Sequence, residues 1–242
     1  MNLVIDIGNS RVKAAVFEGD KCISLFVFDK TKIISEIKKI AKENNITTGI
    51  ISNVTALSEK KWAQLNAITT FQVVSSASKV PFKNEYKTPK TLGVDRIALV
   101  AAAVVKFPNK NVLVIDAGTC ITYDFVTSSA VYLGGAISPG IKMRYQSLHL
   151  FTANLPLVDV FEGNNLTGNT TKESIISGVL NGVQKEIKGY IEDYQKEYCD
   201  LTIVLTGGDT KFLSKQFKSS IFANQNFLLE GLNEILKFNV EK

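Results

Sequence analysis

Two stretches of this chain repeat one another. Leu3 to Val16 reads LVIDIGNSRVKAAV, and Leu113 to Val126 reads LVIDAGTCITYDFV. Aligned without gaps at an offset of 110 residues, six of the fourteen positions are identical. Chance gives about one match at ordinary residue usage. Such a repeat within 242 residues implies a fold made of two related halves.

Each copy has the same local grammar. A short apolar run, Leu3 to Ile5 or Leu113 to Ile115, has the shape of a buried strand. Asp, one small or apolar residue, and Gly follow, then hydroxyl or amide residues. Gly8 and Gly118 can take positive φ, so the chain can reverse sharply there. A second strand comes next (Arg11 to Phe17; Ile121 to Val126), then a turn and a third strand (Cys22 to Phe28; Val131 to Ile137). The first half continues with a helix over Thr31 to Glu43, a strand over Gly49 to Val54, a helix near Leu57 to Asn66 and a strand at Phe71 to Ser75. The second continues with an amphipathic helix from about Lys172 to Tyr198 and a strand over Leu201 to Leu205. A helix near Lys211 to Phe217, an extended piece around Ile221 and a final helix over Gly231 to Phe238 complete it. The expected class is α/β, with lobes at 1–110 and 111–242 and a ligand cleft between them.

Composition narrows the chemistry. With 45% apolar and 21% charged residues, a chain of this length can bury a core without staples. The single histidine, His149, excludes two-histidine metal sites, and its apolar neighbours suggest a packed or interface side chain. Cys22, Cys120 and Cys199 are too far apart in sequence for a close metal or redox pair, which fits a reducing cytoplasm. The longest uncharged apolar run, Ile97 to Val105, is nine residues, against about 20 for a bilayer span. No basic stretch precedes the first apolar run, so neither a signal peptide nor a membrane partner is expected. The net charge of +5 is mild and suits small anions as readily as nucleic acid. The basic stretch Lys79 to Lys90, interleaved with Phe82 and Tyr86, could be a base-stacking groove, but Pro81 and Pro89 favour a solvated loop. Chemistry therefore rests on carboxylates, hydroxyls, backbone amides, Lys and Arg.

Several motifs have parts suited to phosphates. In Asp6-Ile7-Gly8-Asn9-Ser10 and Asp116-Ala117-Gly118-Thr119, a glycine lets the backbone approach and the turn amides form an anion-binding concavity. Lys13 can add charge, and a strand-end Asp can hold Mg²⁺ directly or through water. A lone Asp-x-Gly is usually a plain hairpin turn; two at equivalent places in duplicated halves favour function. Thr206-Gly207-Gly208-Asp209 follows a strand and precedes a helix, a weak nucleotide signal by itself. Gly93-Val94-Asp95-Arg96 opens the helix carrying the Ile97 to Val105 run. There Asp95 either complements the helix dipole or supplies a base beside an anion clamp.

Taken in order, these motifs resemble those of the type III pantothenate kinases, within the actin, Hsp70 and sugar-kinase superfamily. Gly134-Gly135-Ala136-Ile137-Ser138-Pro139-Gly140 belongs to the same series, and the resemblance covers essentially the whole chain. It implies two duplicated ribonuclease-H-like lobes and transfer of the ATP γ-phosphoryl to the pantothenate hydroxyl, the first step towards coenzyme A. It further implies that Asp6, Ile7, Gly8, Asn9, Ser10, Arg11, Val12 and Lys13 form the first phosphate turn, with Asp6 organising Mg²⁺. Thr119, Gly207 and Gly208 would contact ATP, and Asp116 would bind a monovalent cation, K⁺ or NH₄⁺. Asp95 would be the base, with Tyr86, Gly93, Val94, Asp95, Arg96 and Thr171 lining the pantothenate site; Thr170 competes with Thr171. The family resemblance also implies a homodimer whose second protomer helps enclose the substrate. The alternatives are a kinase of another small hydroxyl substrate, or a non-catalytic regulatory accessory factor of the same fold. An actin- or chaperone-like switch would resemble much longer chains.

Overall fold

In a computed structural model of the chain, the described residues are 1–8, 11–53, 57–160, 165–217 and 221–240. They fall into two compact units. The first comprises Met1–Pro108, Ala130–Tyr132 and the chain from Asn226 on; the second comprises Asn109–Ser129 and Leu133–Gln225.

The first unit opens with the expected meander, β1 (Asn2–Ile7), β2 (Val12–Glu18) and β3 (Lys21–Phe28). Then come α1 (Ile33–Glu43), β4 (Thr48–Asn53), α2 (Glu59–Asn66) and β5 (Phe71–Val73), giving a sheet of order β3-β2-β1-β4-β5. β1 pairs antiparallel with β2 and parallel with β4. Ile33, Ile37 and Ile40 lie on one stripe of α1, because side chains three and four apart share a helix face. They join Leu3, Ile5, Val12, Ala14, Val16 and Ile51 in one core. β6 (Lys83–Asn84) runs parallel to residues 131–132, the start of β9 (Val131–Pro139).

α3 (Val94–Lys106) and α7 (Phe227–Val240) complete this unit and pack closely together. The approach is backbone to side-chain-free backbone: a Cβ on Gly231 would lie 1.9 Å from the Ala98 carbonyl oxygen. α7 also packs on β1, β2 and β4. The sequence boundary at 110/111 assigns this helix to the other half. Phe227, Leu229, Leu232, Ile235 and Leu236 are instead buried with the N-terminal unit. Burial of an apolar face selects the partner, and chain distance does not.

The second unit contains β7 (Asn111–Ala117), β8 (Cys120–Val126), most of β9, α4 (Ile141–Leu150) and α5 (Thr171–Glu197). β10 (Leu201–Thr206), α6 (Thr210–Leu213) and β11 (Ile221–Ala223) follow. Its strands run in the order β11-β10-β7-β8-β9. That is the order of the first sheet with each strand replaced by its counterpart, so the sequence repeat is a structural duplication. Ile175, Val179, Val183, Ile187 and Ile191 seat α5 on Leu113, Ile115, Ile203 and Leu205.

Three sequence expectations change. The helix near Lys211 to Phe217 is one turn, Thr210–Leu213. α4 has no strong apolar stripe, burying only Ile141 and Tyr145, and periodicity does not announce it. His149, on α4, is exposed in the single chain, which leaves the interface alternative and removes the packed one, with Nδ1 2.8 Å from the Leu155 carbonyl oxygen. Among the described residues, no helix is long and apolar enough to cross a membrane.

Candidate active site

In the first unit, the turn after β1 is closed by the Gly8 amide, which donates to the Arg11 carbonyl at 3.1 Å. Asn9 and Ser10 lie outside the described residues. Ile7 and Val12 are wholly buried in the core, so only their backbone atoms remain for a ligand. Arg11 is exposed. Gly8 and Gly118 do not use the positive φ open to glycine. Both turns reverse the chain through their hairpin hydrogen bonds instead; at the second, the Gly118 amide donates to the Cys120 carbonyl at 2.9 Å.

Asp6 is opposite Lys13 in the β1–β2 register and opposite Ser52 in the β1–β4 register. Its side chain is only 8% exposed. Burial pushes its carboxyl from 3.8 up to about 6; Lys13 and the Ser52 hydroxyl act against the rise, and Asp95 adds to it. Two carboxylates from different elements of one unit therefore lie within electrostatic reach of each other. Ser52, fully buried, is a neighbour of Asp6 that the motif reading missed.

Asp95 stands in the first turn of α3, whose N-cap is Gly93. Its Oδ1 accepts a hydrogen bond from the Arg96 amide at 2.8 Å. The carboxylate folds back over Gly93, where a Cβ would lie 2.3 Å from Oδ1. Glycine there leaves room for this rotamer. Val94 is half-buried, and Arg96 is 5% exposed. The Arg96 guanidinium lies over the Tyr86 ring at 5.4 Å from its centroid, a cation–π contact. The sequence motif thus brings Asp95, Arg96 and Tyr86 together in this unit.

In the second unit, three segments meet at the repeated turn. Asp116, next to last in β7, lies opposite Thr122 of β8 and Thr206 of β10. Gly207 adopts φ 96°, and a Cβ there would lie 2.3 Å from both Asp116 Oδ1 and the Ala117 carbonyl oxygen. The Asp209 amide donates to that carbonyl at 3.0 Å, and the Thr210 hydroxyl donates to the Gly207 carbonyl at 2.7 Å. Burial pushes the Asp209 carboxyl up to about 6, against the pull of Lys142. Gly140, at the head of α4, packs on the same turn: its amide donates to the Thr119 carbonyl at 3.1 Å. A Cβ on Gly140 would lie 2.1 Å from the Gly118 carbonyl oxygen. Thr119 and Gly208 remain exposed beside these contacts.

A buried-edge network holds the head of α4 in place. Arg144 donates to the Pro139 carbonyl at 2.8 Å, to the Ser138 hydroxyl at 2.7 Å and to Glu186 at 2.5 Å. Tyr123 donates to the other Glu186 oxygen at 2.9 Å. Burial raises the Glu186 carboxyl, but its bonds from Arg144, Ser138 and Tyr123 outweigh this and hold it below the usual range. Thr170 caps α5, accepting from the Glu173 amide at 3.2 Å. Thr171 is the first helical residue and is exposed. Both threonines are exposed, so the choice that the motif left open between them stays open.

Asp6 yields a stability prediction. Its folded pKa of about 6 lies above the ordinary 3.8, so between these values the folded chain keeps a proton that the unfolded chain has lost. Stability then falls as pH rises through that window, and the deficit is complete above it. Asp6→Asn should stabilise the ligand-free protein by about 1–3 kcal/mol near pH 7.5. The gain should shrink as pH is lowered below about 6. Urea unfolding of both proteins at several pH values reads this; a destabilised or pH-independent variant contradicts it.

Comparison with known proteins agrees with this geometry. A family profile described as type III pantothenate kinase matches residues 2–193. A type III pantothenate kinase of Christiangramia forsetii is 52% identical over 240 residues, covering 99% of each chain. A solved structure from Campylobacter jejuni, assigned to the Baf family of transcriptional activators, superposes with a TM-score of 0.66 at 23% identity. The match covers 99% of this chain and 100% of that one. A Sinorhizobium meliloti structure assigned as a 2-dehydro-3-deoxygalactonokinase has a TM-score of 0.61 at 12% identity and covers all of both chains. The last two share the fold. With a matching profile over most of its length and a relative this similar from end to end, the chain belongs to the type III pantothenate kinases, which phosphorylate pantothenate with ATP at the first step of coenzyme A biosynthesis.

Proposed function

We propose that Asp95 is the base of the pantothenate kinase reaction, and that Tyr86, Gly93, Val94, Arg96 and Thr171 line its acceptor site. One observation carries this reading. Asp95 sits in the first turn of α3 with one oxygen fixed by the Arg96 amide, beside the Arg96–Tyr86 pair and within electrostatic reach of Asp6. Phosphoryl transfer through a loose transition state needs positioning and charge neutralisation more than covalent work. Asp95 orients the hydroxyl and accepts its proton late. Arg96 faces an anionic group, either the pantothenate carboxylate or the moving phosphoryl. Thr171, or Thr170 in its place, supplies a hydroxyl to the acceptor.

On the donor side, the turn from Asp6 to Lys13 contacts the phosphates, and Thr119, Gly207 and Gly208 contact the nucleotide. A kinase that uses ATP implies a divalent metal, and the residues present fit Mg²⁺. Among the described residues there is no cluster of three metal-ligating side chains. Mg²⁺ usually takes only one or two carboxylates and fills its shell with water and phosphate oxygens. Asp6, a buried carboxylate beside a hydroxyl, is such a hard oxygen donor and would hold it directly or through water. Bound there, the ion neutralises phosphate charge. Asp116 is likewise an all-oxygen environment and suits K⁺ or NH₄⁺.

A homodimer agrees with the second unit's surface. Leu150, Phe151, Leu157 and Leu166 are 72%, 86%, 58% and 70% exposed. Large apolar side chains gathered in one stretch at a surface favour a protein partner. A cytoplasmic location agrees with three unpaired cysteines.

Three measurements test these assignments. Asp95→Asn keeps shape and removes the base, so kcat should fall about 10²- to 10⁴-fold, with ATP affinity and melting temperature little changed. Retention of more than about a tenth of kcat would transfer the role to another group. Turnover should depend on K⁺ or NH₄⁺, and Asp116→Asn should abolish the difference between K⁺ and Na⁺ buffers; equal wild-type rates in the two buffers contradict the cation site. Sedimentation at assay concentration should give twice the 26.6 kDa chain mass, and a fully active monomer rules out the dimer.

A further inference from the structure

Tyr86 lies in a lysine-rich segment with almost no regular structure of its own. Only Lys83–Asn84 form strand, and Lys79, Lys83, Lys87 and Lys90 flank the aromatic positions. An aromatic contact on so short a ribbon loses conformational freedom on every binding event unless something orders it beforehand. In this chain the ordering is visible. The Lys83 amide donates to the Ala130 carbonyl at 2.9 Å, and the Glu85 amide donates to the Tyr132 carbonyl at 3.0 Å. Tyr132 is fully buried. Phe82 meets its ring edge-on at 6.0 Å between centroids. The Tyr86 ring stacks against Tyr132 at 6.1 Å with an interplanar angle of 17°. Asn84 adds a local restraint: its side-chain oxygen accepts from the Tyr86 amide at 2.9 Å, a turn mimic that fixes the backbone. The ring held in this way is the one that Arg96 overlies.

We propose that Tyr132 and Asn84 are positioning residues for the acceptor, holding the Tyr86 ring and through it the Arg96 guanidinium in the orientation that pantothenate meets. The proposal rests on the reading of Tyr86 and Arg96 as acceptor contacts. Tyr132 stands 46 positions after Tyr86, in the strand following the second repeat, and none of the motifs includes it. Its flat, buried face does the positioning, so a ring is required and the hydroxyl is not. Asn84 acts through its amide oxygen, so its effect should be separable from packing.

The test is steady-state kinetics of the full chain with both substrates varied. Tyr132→Met keeps an apolar side chain of similar bulk but removes the flat face. It should raise KM for pantothenate about 3- to 10-fold, the size of a lost aromatic pair. KM for ATP should stay within about twofold. Tyr132→Phe should keep the wild-type KM for pantothenate, because the ring is retained and the hydroxyl is not required. Asn84→Ala, at an exposed position, should raise the same KM a few-fold without lowering the melting temperature. In the Tyr86→Ala background, Tyr132→Met should add no further effect, because the two act as one unit.

The outcomes separate cleanly. A Tyr86→Ala variant with unchanged KM for pantothenate overturns the acceptor assignment and the proposal with it. A Tyr86→Ala variant that loses affinity beside a Tyr132→Met variant that does not, or a fully additive double variant, overturns the proposal alone. A parallel rise in both KM values marks general loosening and also overturns it. Where Tyr132→Met does not fold, Asn84→Ala decides: an unchanged KM for pantothenate rejects the clamp, and a selective rise supports it.

Discussion

Desolvation of a strand-end carboxylate organises the first unit. Asp6 sits where β1 emerges from a sheet whose neighbouring side chains are wholly buried, and removal from water raises its pKa to about 6. A buried carboxylate in this condition is destabilising by itself. Lys13 and Ser52 offset only part of that cost. What remains is a net electrostatic cost of burying this carboxylate in the empty fold. Asp95, whose charge raises Asp6 further, belongs to the same balance.

Around these carboxylates the fold relies on backbone contacts that only glycine allows. Gly93 leaves space for Asp95, Gly207 for Asp116 and the Ala117 carbonyl, and Gly140 for the Gly118–Thr119 turn. At each, an added Cβ would come closer than van der Waals contact permits. The turn after β7 in the second unit is therefore a junction of three chain segments. It is fixed by main-chain hydrogen bonds from Asp209 and Gly140 and braced at the head of α4 by Arg144 and Glu186.

The surroundings of Asp95 are built differently, from stacked side chains. Arg96 is almost fully buried and its guanidinium meets the Tyr86 ring, which in turn rests on Tyr132. Aromatic faces can present a cation in a fixed direction without neutralising it. The two units thus fix these turns by distinct physical means, main-chain hydrogen bonds in the second unit and π faces in the first.

The sequence determined the duplication, the α/β class and most of the elements, because strand burial and helix stripes are local periodicities that survive without tertiary context. It also carried the order of motifs from Asp6 to Gly208, since chemistry at a turn needs particular residue types at adjacent positions. Tertiary structure alone decided the rest. α7 joins the unit begun 226 residues earlier because its apolar face fits β1, β4 and α3. α4 lacks a stripe and exists by docking Gly140 on the turn. Gly8 and Gly118 proved to need no positive φ, while Gly207 does. Ser52, Asp209 and Tyr132 acquire their surroundings only from neighbours distant in the chain, and no local pattern encodes burial beside a residue that far away.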